Sequence, residues 1–195
     1  VVSEILLVLF AYLLGSVPTG YILGYLSGVD VRKAGSGNVG ATNVARVAGK
    51  KLGLLTLIGD AAKGAIPVCL ARALGMDIDA AALAALAAFL GHLYPVFLRF
   101  QGGKGVATAL GALLVLAPAA TGALLLVFLI VIAATRIVSL ASMIAAAAAP
   151  VAVWLLGYPP AVGGLTATMA LFIIWRHREN IRRLISGTEP KFGFK

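Results

Sequence analysis

Three short stretches of this 195-residue chain concentrate the residue types that bind anions. The first, residues 30–46, reads DVRKAGSGNVGATNVAR. It sets the hydroxyls of Ser36 and Thr42, the amides of Asn38 and Asn43 and the cation of Arg46 in a glycine-rich backbone, a set that suits a polyol phosphate. Gly35 to Gly40 fits the G-x-G-x-x-G pattern. A dinucleotide site needs a preceding strand and a βαβ unit, and a long apolar segment with the length of a membrane helix precedes it instead. The second stretch, residues 91–108, contains His92, and then Gly102, Gly103 and Gly105 around Lys104 immediately before another apolar run that closes with Thr108 in its first turn. It is not a P-loop, because G-x-x-x-x-G-K-[ST] is absent. Glycine amides at the positive end of a helix, beside a lysine, nevertheless make an anion site. The third stretch is RHREN, residues 176–180. His177 and Asn180 stand three apart and would share a face on a continuing helix. The arginines around them are read as a topology signal that also touches anionic lipid.

The elements that must carry these stretches are dictated by composition. Hydrophobic residues make up 61% of the chain and charged residues 12%, against roughly 25% charged in soluble domains. The surroundings must be lipid. The apolar runs are continuous rather than alternating, so the expected fold is an all-α integral membrane protein and not a β-barrel. Seven spans are expected in one polytopic domain covering residues 1–195: Ile5 to Leu26, Leu52 to Leu74, Ala80 to Leu98, the short Val106 to Leu116, Ala119 to Thr135, Ile137 to Leu156 and Ala161 to Trp175. With seven spans, every lysine and arginine except Lys63 and Arg72 falls on one side, including Lys195 at the end of the chain. Asp77 and Asp79 fall on the other. The positive-inside rule then puts the amino terminus outside and the carboxyl terminus in the cytoplasm. The same rule accounts for the net charge of +9 without nucleic acid as a partner. One cysteine, Cys69, and two histidines exclude an intrachain disulfide and a three-histidine zinc site, and no metal or cofactor is expected. Asp60 and Lys63, three apart within a span, are read as an ion pair facing the bundle. Ser139 and Ser142 sit early in the sixth span; serines there mostly bond their own backbone, with Ser142 the one that could still face a site.

Together the three stretches resemble the bacterial acyl-phosphate:glycerol-3-phosphate acyltransferases, the PlsY family. The likeness runs from GSVP (15–18) through GSGNVGATN (35–43), GHLYP (91–95) and GGKGVAT (102–108) to RHREN (176–180). The resemblance implies a seven-helix enzyme of the bacterial inner membrane. It would move a fatty acyl chain from acyl phosphate to glycerol 3-phosphate and release lysophosphatidic acid, with the donor's own phosphate taking the hydroxyl proton. The sequence agrees: the His-x₄-Asp pair used by many other glycerophosphate acyltransferases is missing, since Phe97 follows His92 and Arg182 follows His177 at that spacing. An acyl phosphate carries a good leaving group, so the protein is left with positioning and charge stabilisation. Ser36, Lys104, His177 and Asn180 are expected at the reaction, and Asn38, Thr42, Asn43, Arg46, His92, Gly102, Gly103, Thr108 and Ser142 around the substrates. Within that set Ser36, Arg46, Lys104, His177 and Asn180 would hold phosphate, Asn38, Thr42 and Asn43 would shape the polyol site, and Gly102 and Gly103 would offer backbone amides. The expected partners are the two substrates and membrane lipid, with the chain acting as a monomer. The competing class is a small-anion transporter, which should place its polar groups near the midplane in an inverted repeat; here they gather at one face.

The charge distribution has a direct test. Single cysteines at positions 50 and 186 should both resist an impermeant thiol reagent added to intact cells, and react once the membrane is opened. Modification of either from outside would reverse the assigned orientation.

Overall fold

A computed structural model describes residues 2–193; Lys195, counted above with the basic tail, lies outside the described residues. Among those described the regular structure is helical: α1 Val2–Ser16, α2 Thr19–Leu26, α3 Ala41–Ala48, α4 Lys50–Ala73, α5 Ile78–Leu93, α6 Val106–Leu116, α7 Pro118–Thr135, α8 Val138–Leu155, α9 Pro160–Arg176 and α10 Arg178–Ile185, with a 3₁₀ turn at Val96–Leu98. Among the described residues five segments are long and apolar enough to cross a membrane: Val2–Leu26, Lys50–Ala73, Ile78–Leu98, Pro118–Thr135 and Val138–Leu155. The shorter apolar helices α6 and α9 have 11 and 17 residues, or about 16 and 26 Å at 1.5 Å per residue, against a hydrocarbon core of about 30 Å. On α7, Leu126, Leu129 and Ile130 are each more than half exposed, a face that suits lipid and that water would penalise.

The first expected span is not one helix. Pro18 has no N–H to continue the ladder, and the chain breaks between Ser16 and Thr19. The break frees the carbonyl of Val17 from the helical pattern. It accepts from the Thr19 amide at 3.0 Å and from Lys63 Nζ at 3.0 Å.

The chain divides between Leu116 and Ala117 into two compact units. In the first, α4 packs against α1, α2, α3, α5 and α6, and α1 also packs on α5. The α4–α6 crossing is tight because glycine stands on both sides. A Cβ on Gly64 would overlap the carbonyl of Thr108, and one on Gly111 would overlap the carbonyl of Ala61. Small residues allow this approach where lipid supplies no hydrophobic drive between helices. In the second unit α8 packs against both α7 and α9. Arg136, in the left-handed region at φ 61°, turns the chain between α7 and α8.

A buried ionic group ties the first unit together. Lys63 Nζ lies 2.9 Å from Asp60 Oδ1, and both side chains are almost wholly buried. The ammonium also bonds the Val17 carbonyl, and His92 Nδ1 of α5 lies 3.7 Å from the same Asp60 oxygen. The sequence-based reading of an inward-facing pair therefore holds, with the Val17 carbonyl between α1 and α2 and His92 of α5 as its further partners. Removing one member of such a pair strands a buried charge, at a cost of about 3–5 kcal/mol. Lys63→Met should accordingly lower the thermal unfolding temperature in detergent more than the double change Asp60→Asn with Lys63→Met. A double variant as unstable as the single one would mean that the pair is not what Lys63 is there for.

Candidate functional site

The loop between α2 and α3 is organised from within by Asn43. This side chain is buried. Its Oδ1 accepts from the Ser36 amide at 2.8 Å, and its Nδ2 is within bonding distance of the carbonyls of Val31, Ala34 and Asn38 at 3.0, 3.1 and 2.9 Å. The amide is committed to the loop, so Asn43 shapes the loop's surface from inside. Asn38 Oδ1 accepts from the Gly40 amide at 2.8 Å, a local turn that leads into α3. Gly35 has φ 61°, and a Cβ there would overlap Asn43 Oδ1. Ser36, Thr42 and Arg46 are exposed, and Thr42 and Arg46 lie four apart on α3, on one face.

The second loop folds back onto the end of α5. The Gly102 amide donates to the carbonyl of Leu93 and the Gly103 amide to that of His92, each at 3.1 Å. Both amides were expected to face an anion; they cap α5 instead, because its last carbonyls have no intrahelical partner. The two glycines matter for the side chains they lack. A Cβ on Gly102 would overlap the His92 carbonyl, and one on Gly103 would overlap the imidazole at Nε2. His92 is thus held between Asp60 on one side and the backbone of Gly103 on the other. Gly105, at φ 83°, turns the chain into α6, and half-buried Lys104 stands between these two glycines. Thr108 follows in the first turn of α6, fully buried, and its hydroxyl has no hydrogen-bond partner among the described residues.

In the second unit the helix does not continue through RHREN. It stops at Arg176 and restarts as α10, with His177 at the junction (φ −94°, ψ 9°). His177 is buried, and its Nδ1 lies 2.8 Å from the Ile173 carbonyl. A carbonyl only accepts, so Nδ1 carries a proton. Asn180, also buried, donates from Nδ2 to Glu189 Oε1. The same oxygen accepts from Ser139 Oγ at 2.6 Å, and Oε2 accepts from Arg183 Nε at 2.7 Å. Burial opposes the charge of Glu189, but the donors Ser139, Asn180 and Arg183 and the guanidinium charge outweigh it and hold the carboxyl below its usual range. Of the two serines on α8, Ser142 bonds back to the Val138 carbonyl at 2.9 Å, and Ser139 makes the tertiary bond. Glu189 escaped the sequence reading: it stands 50 positions from Ser139, in a tail whose composition signals only a turn.

These elements have close counterparts in known proteins. The family model described as glycerol-3-phosphate acyltransferase matches residues 5–187. The chain belongs to the glycerol-3-phosphate acyltransferase family. Among the relatives, the glycerol-3-phosphate acyltransferase of Geobacter sulfurreducens is 50% identical over 190 residues, 97% of this chain and 98% of that one. The enzyme of Geobacter metallireducens is 57% identical over 190 residues, 97% of each chain. A crystal structure of PlsY (YgiH), an integral membrane glycerol 3-phosphate acyltransferase, in its glycerol 3-phosphate form, superimposes with a TM-score of 0.94 at 47% identity, covering 98% of this chain and 96% of that one. A second, the lysophosphatidic acid form, gives 0.91 at 46%, with the same coverage.

For this acyltransferase the His92–Gly103 contact is a close steric fit within the second loop. Gly103→Ala should cut acyltransferase activity at least tenfold, because the new methyl must displace the imidazole. Gly163→Ala, where nothing lies within 4 Å of the added carbon, should leave the rate unchanged. Comparable rates for both variants would show that the loop adjusts freely.

Proposed function

We propose that this chain transfers a fatty acyl group from an acyl phosphate to a hydroxyl of glycerol 3-phosphate, at the cytoplasmic face of a bacterial inner membrane that it crosses seven times. The observation that carries the acceptor is the close relative solved with glycerol 3-phosphate, whose fold this chain shares over nearly its whole length. The acyl phosphate donor is supported by chemistry. The chain has no His-x₄-Asp pair to activate a hydroxyl against a poor leaving group, and a mixed anhydride removes that need. The acceptor oxygen bonds to the acyl carbon, the acyl–phosphate C–O bond breaks, and phosphate departs with the hydroxyl proton. The products are lysophosphatidic acid and inorganic phosphate.

The protein's part is to place charge and hydrogen-bond donors. In the first unit Lys104 and Arg46 supply cations, and Ser36, Asn38 and Thr42 supply the polar surface that Asn43 shapes. His92 sets the position of the loop ahead of Lys104. In the second unit His177 and Asn180 are phosphate ligands. With Nδ1 already donating to Ile173, His177 donates from Nε2 only when the ring is doubly protonated and positively charged. A phosphate favours that state.

Purified protein offered glycerol 3-phosphate should form lysophosphatidic acid with acyl phosphate and not with acyl-CoA, and should do so after thorough chelation. Under the same assay Lys104→Ala should lose at least tenfold, about 1.4 kcal/mol of transition-state stabilisation. A normal rate in that variant would remove Lys104 from the site, and turnover with acyl-CoA alone would refute the donor.

His177 separates two mechanisms. As a phosphate ligand it should give an apparent affinity for glycerol 3-phosphate that weakens as pH rises and the ring loses its second proton. His177→Asn should then retain more activity than His177→Ala. As a general base it would give the opposite limb, a rate that falls on acidification, with both variants inactive.

A further inference from the structure

Three consecutive carbonyls stand at the end of α5, where the second loop begins, and each meets a donor from elsewhere in the chain. Those of His92 and Leu93 accept from the Gly103 and Gly102 amides as the loop returns. The Tyr94 carbonyl accepts from the phenol of Tyr12 at 2.8 Å, across 82 positions. The first two donors belong to the loop itself. The third comes from α1, and it refers the loop to a separate helix.

The packing of α1 makes that reference firm. This helix lies against α5 and against the 3₁₀ turn Val96–Leu98. The two helices approach through glycine: a Cβ on Gly15 would overlap the Ala88 carbonyl, and one on Gly91 would overlap the Tyr12 carbonyl. Backbones this close leave little room to slide, so the crossing sets where the phenol can reach. The Tyr12 ring is half-buried. Phenylalanine would fill the same space, so packing accounts for the ring and leaves the hydroxyl to the bond. The loop also needs holding. Arg99 and Phe100 stand in succession at φ 50° and 63°, a region that residues with a Cβ adopt only when their surroundings enforce it. Lys104 follows four positions after Phe100.

We propose that Tyr12 is a positioning residue for the acyltransferase reaction: its phenol, donated from α1, fixes the first carbonyl of the second loop and with it the place of Lys104. This rests on Lys104 holding a substrate phosphate. Without the phenol the loop spends part of its time in arrangements that carry Lys104 away from the phosphate. Apparent affinity falls with the fraction left in the competent arrangement, whereas a substrate once bound reacts at its usual rate. The mark of the role is a raised KM with kcat little changed.

The test compares Y12F, K104A and the double variant, each assayed with both substrates varied in turn. Y158F serves as the control, since the bond of that phenol, with the Ala119 amide at 3.2 Å, lies within the second unit. Y12F should raise KM by about threefold or more, the scale of one hydrogen bond, for the substrate whose KM rises in K104A, with kcat within about twofold of the wild type. The double variant should be no worse than K104A, because Tyr12 acts through Lys104. Y158F should match the wild type. Hydrogen exchange across residues 99–105, read by mass spectrometry, should quicken in Y12F and not in Y158F, and this measurement carries the test where a variant turns over too slowly to assay. A wild-type KM in Y12F beside an impaired K104A would overturn the positioning role and leave Lys104 as a ligand, and a lowered unfolding temperature with that same KM would make the bond purely structural. Multiplying losses in the double variant, or unchanged exchange over the loop, would overturn it too. A wild-type rate in K104A would instead remove the phosphate reading of Lys104, and the proposal with it.

Discussion

A cation and an anion buried three residues apart on α4 set the terms for the first unit. Neither Asp60 nor Lys63 reaches water, and in an apolar setting each must find every polar partner inside the protein. Lys63 finds the Val17 carbonyl, which is available because Pro18 interrupts the helix. Asp60 finds His92. His92 in turn rests against Gly103, and the Gly103 amide returns to the His92 carbonyl. The position of the loop ahead of Lys104 is thus referred, through one imidazole, to an ion pair in the middle of a membrane helix. The proline, the charged pair, the histidine and the glycines look unrelated in the sequence and form one connected group in the fold.

The polar stretches use a common device at smaller scale. In two of them one buried side chain spends its hydrogen-bonding groups on its neighbours. Asn43 does this for the loop before α3, accepting from the Ser36 amide and donating to backbone carbonyls. Glu189 does it for the tail after α10, with side-chain donors. An amide suits a loop that must satisfy both amides and carbonyls, and a carboxylate suits a place where only donors converge. In both cases the ordered scaffold is inside and the groups it orients are displayed from it.

How far these features are legible in the sequence depends on the range of the interaction that makes them. Hydropathy is local, and α6 begins and ends at the residues its apolar run indicates. The three polar stretches are local too, and their order along the chain carries the family resemblance. The break at Pro18 is local and still passed unread, because apolar residues on both sides of it maintain the signal of a single span. Glycine before a helix often serves a ligand, which is what the sequence indicates for the amides of Gly102 and Gly103; only the fold shows α5 ending within reach with carbonyls to satisfy. The halt at His177 was hidden by helix-compatible residues on either side. The Ser139–Glu189 bond crosses 50 positions and no periodicity announces it.

The order in which the ionic group can assemble has a consequence for biogenesis. A lone charge in a span resists partition from the translocon into the bilayer. Because Asp60 and Lys63 lie three apart on one face of α4, the helix arrives with its charges already able to neutralise each other. Synthesis proceeds from the amino terminus, so the Val17 carbonyl has emerged before Lys63, and its bond to the ammonium needs nothing made later. His92 comes last of the four. The hairpin of α4 and the preceding helices is thereby electrostatically complete before α5 exists, and the imidazole that governs the second loop docks onto a foundation already laid in the membrane.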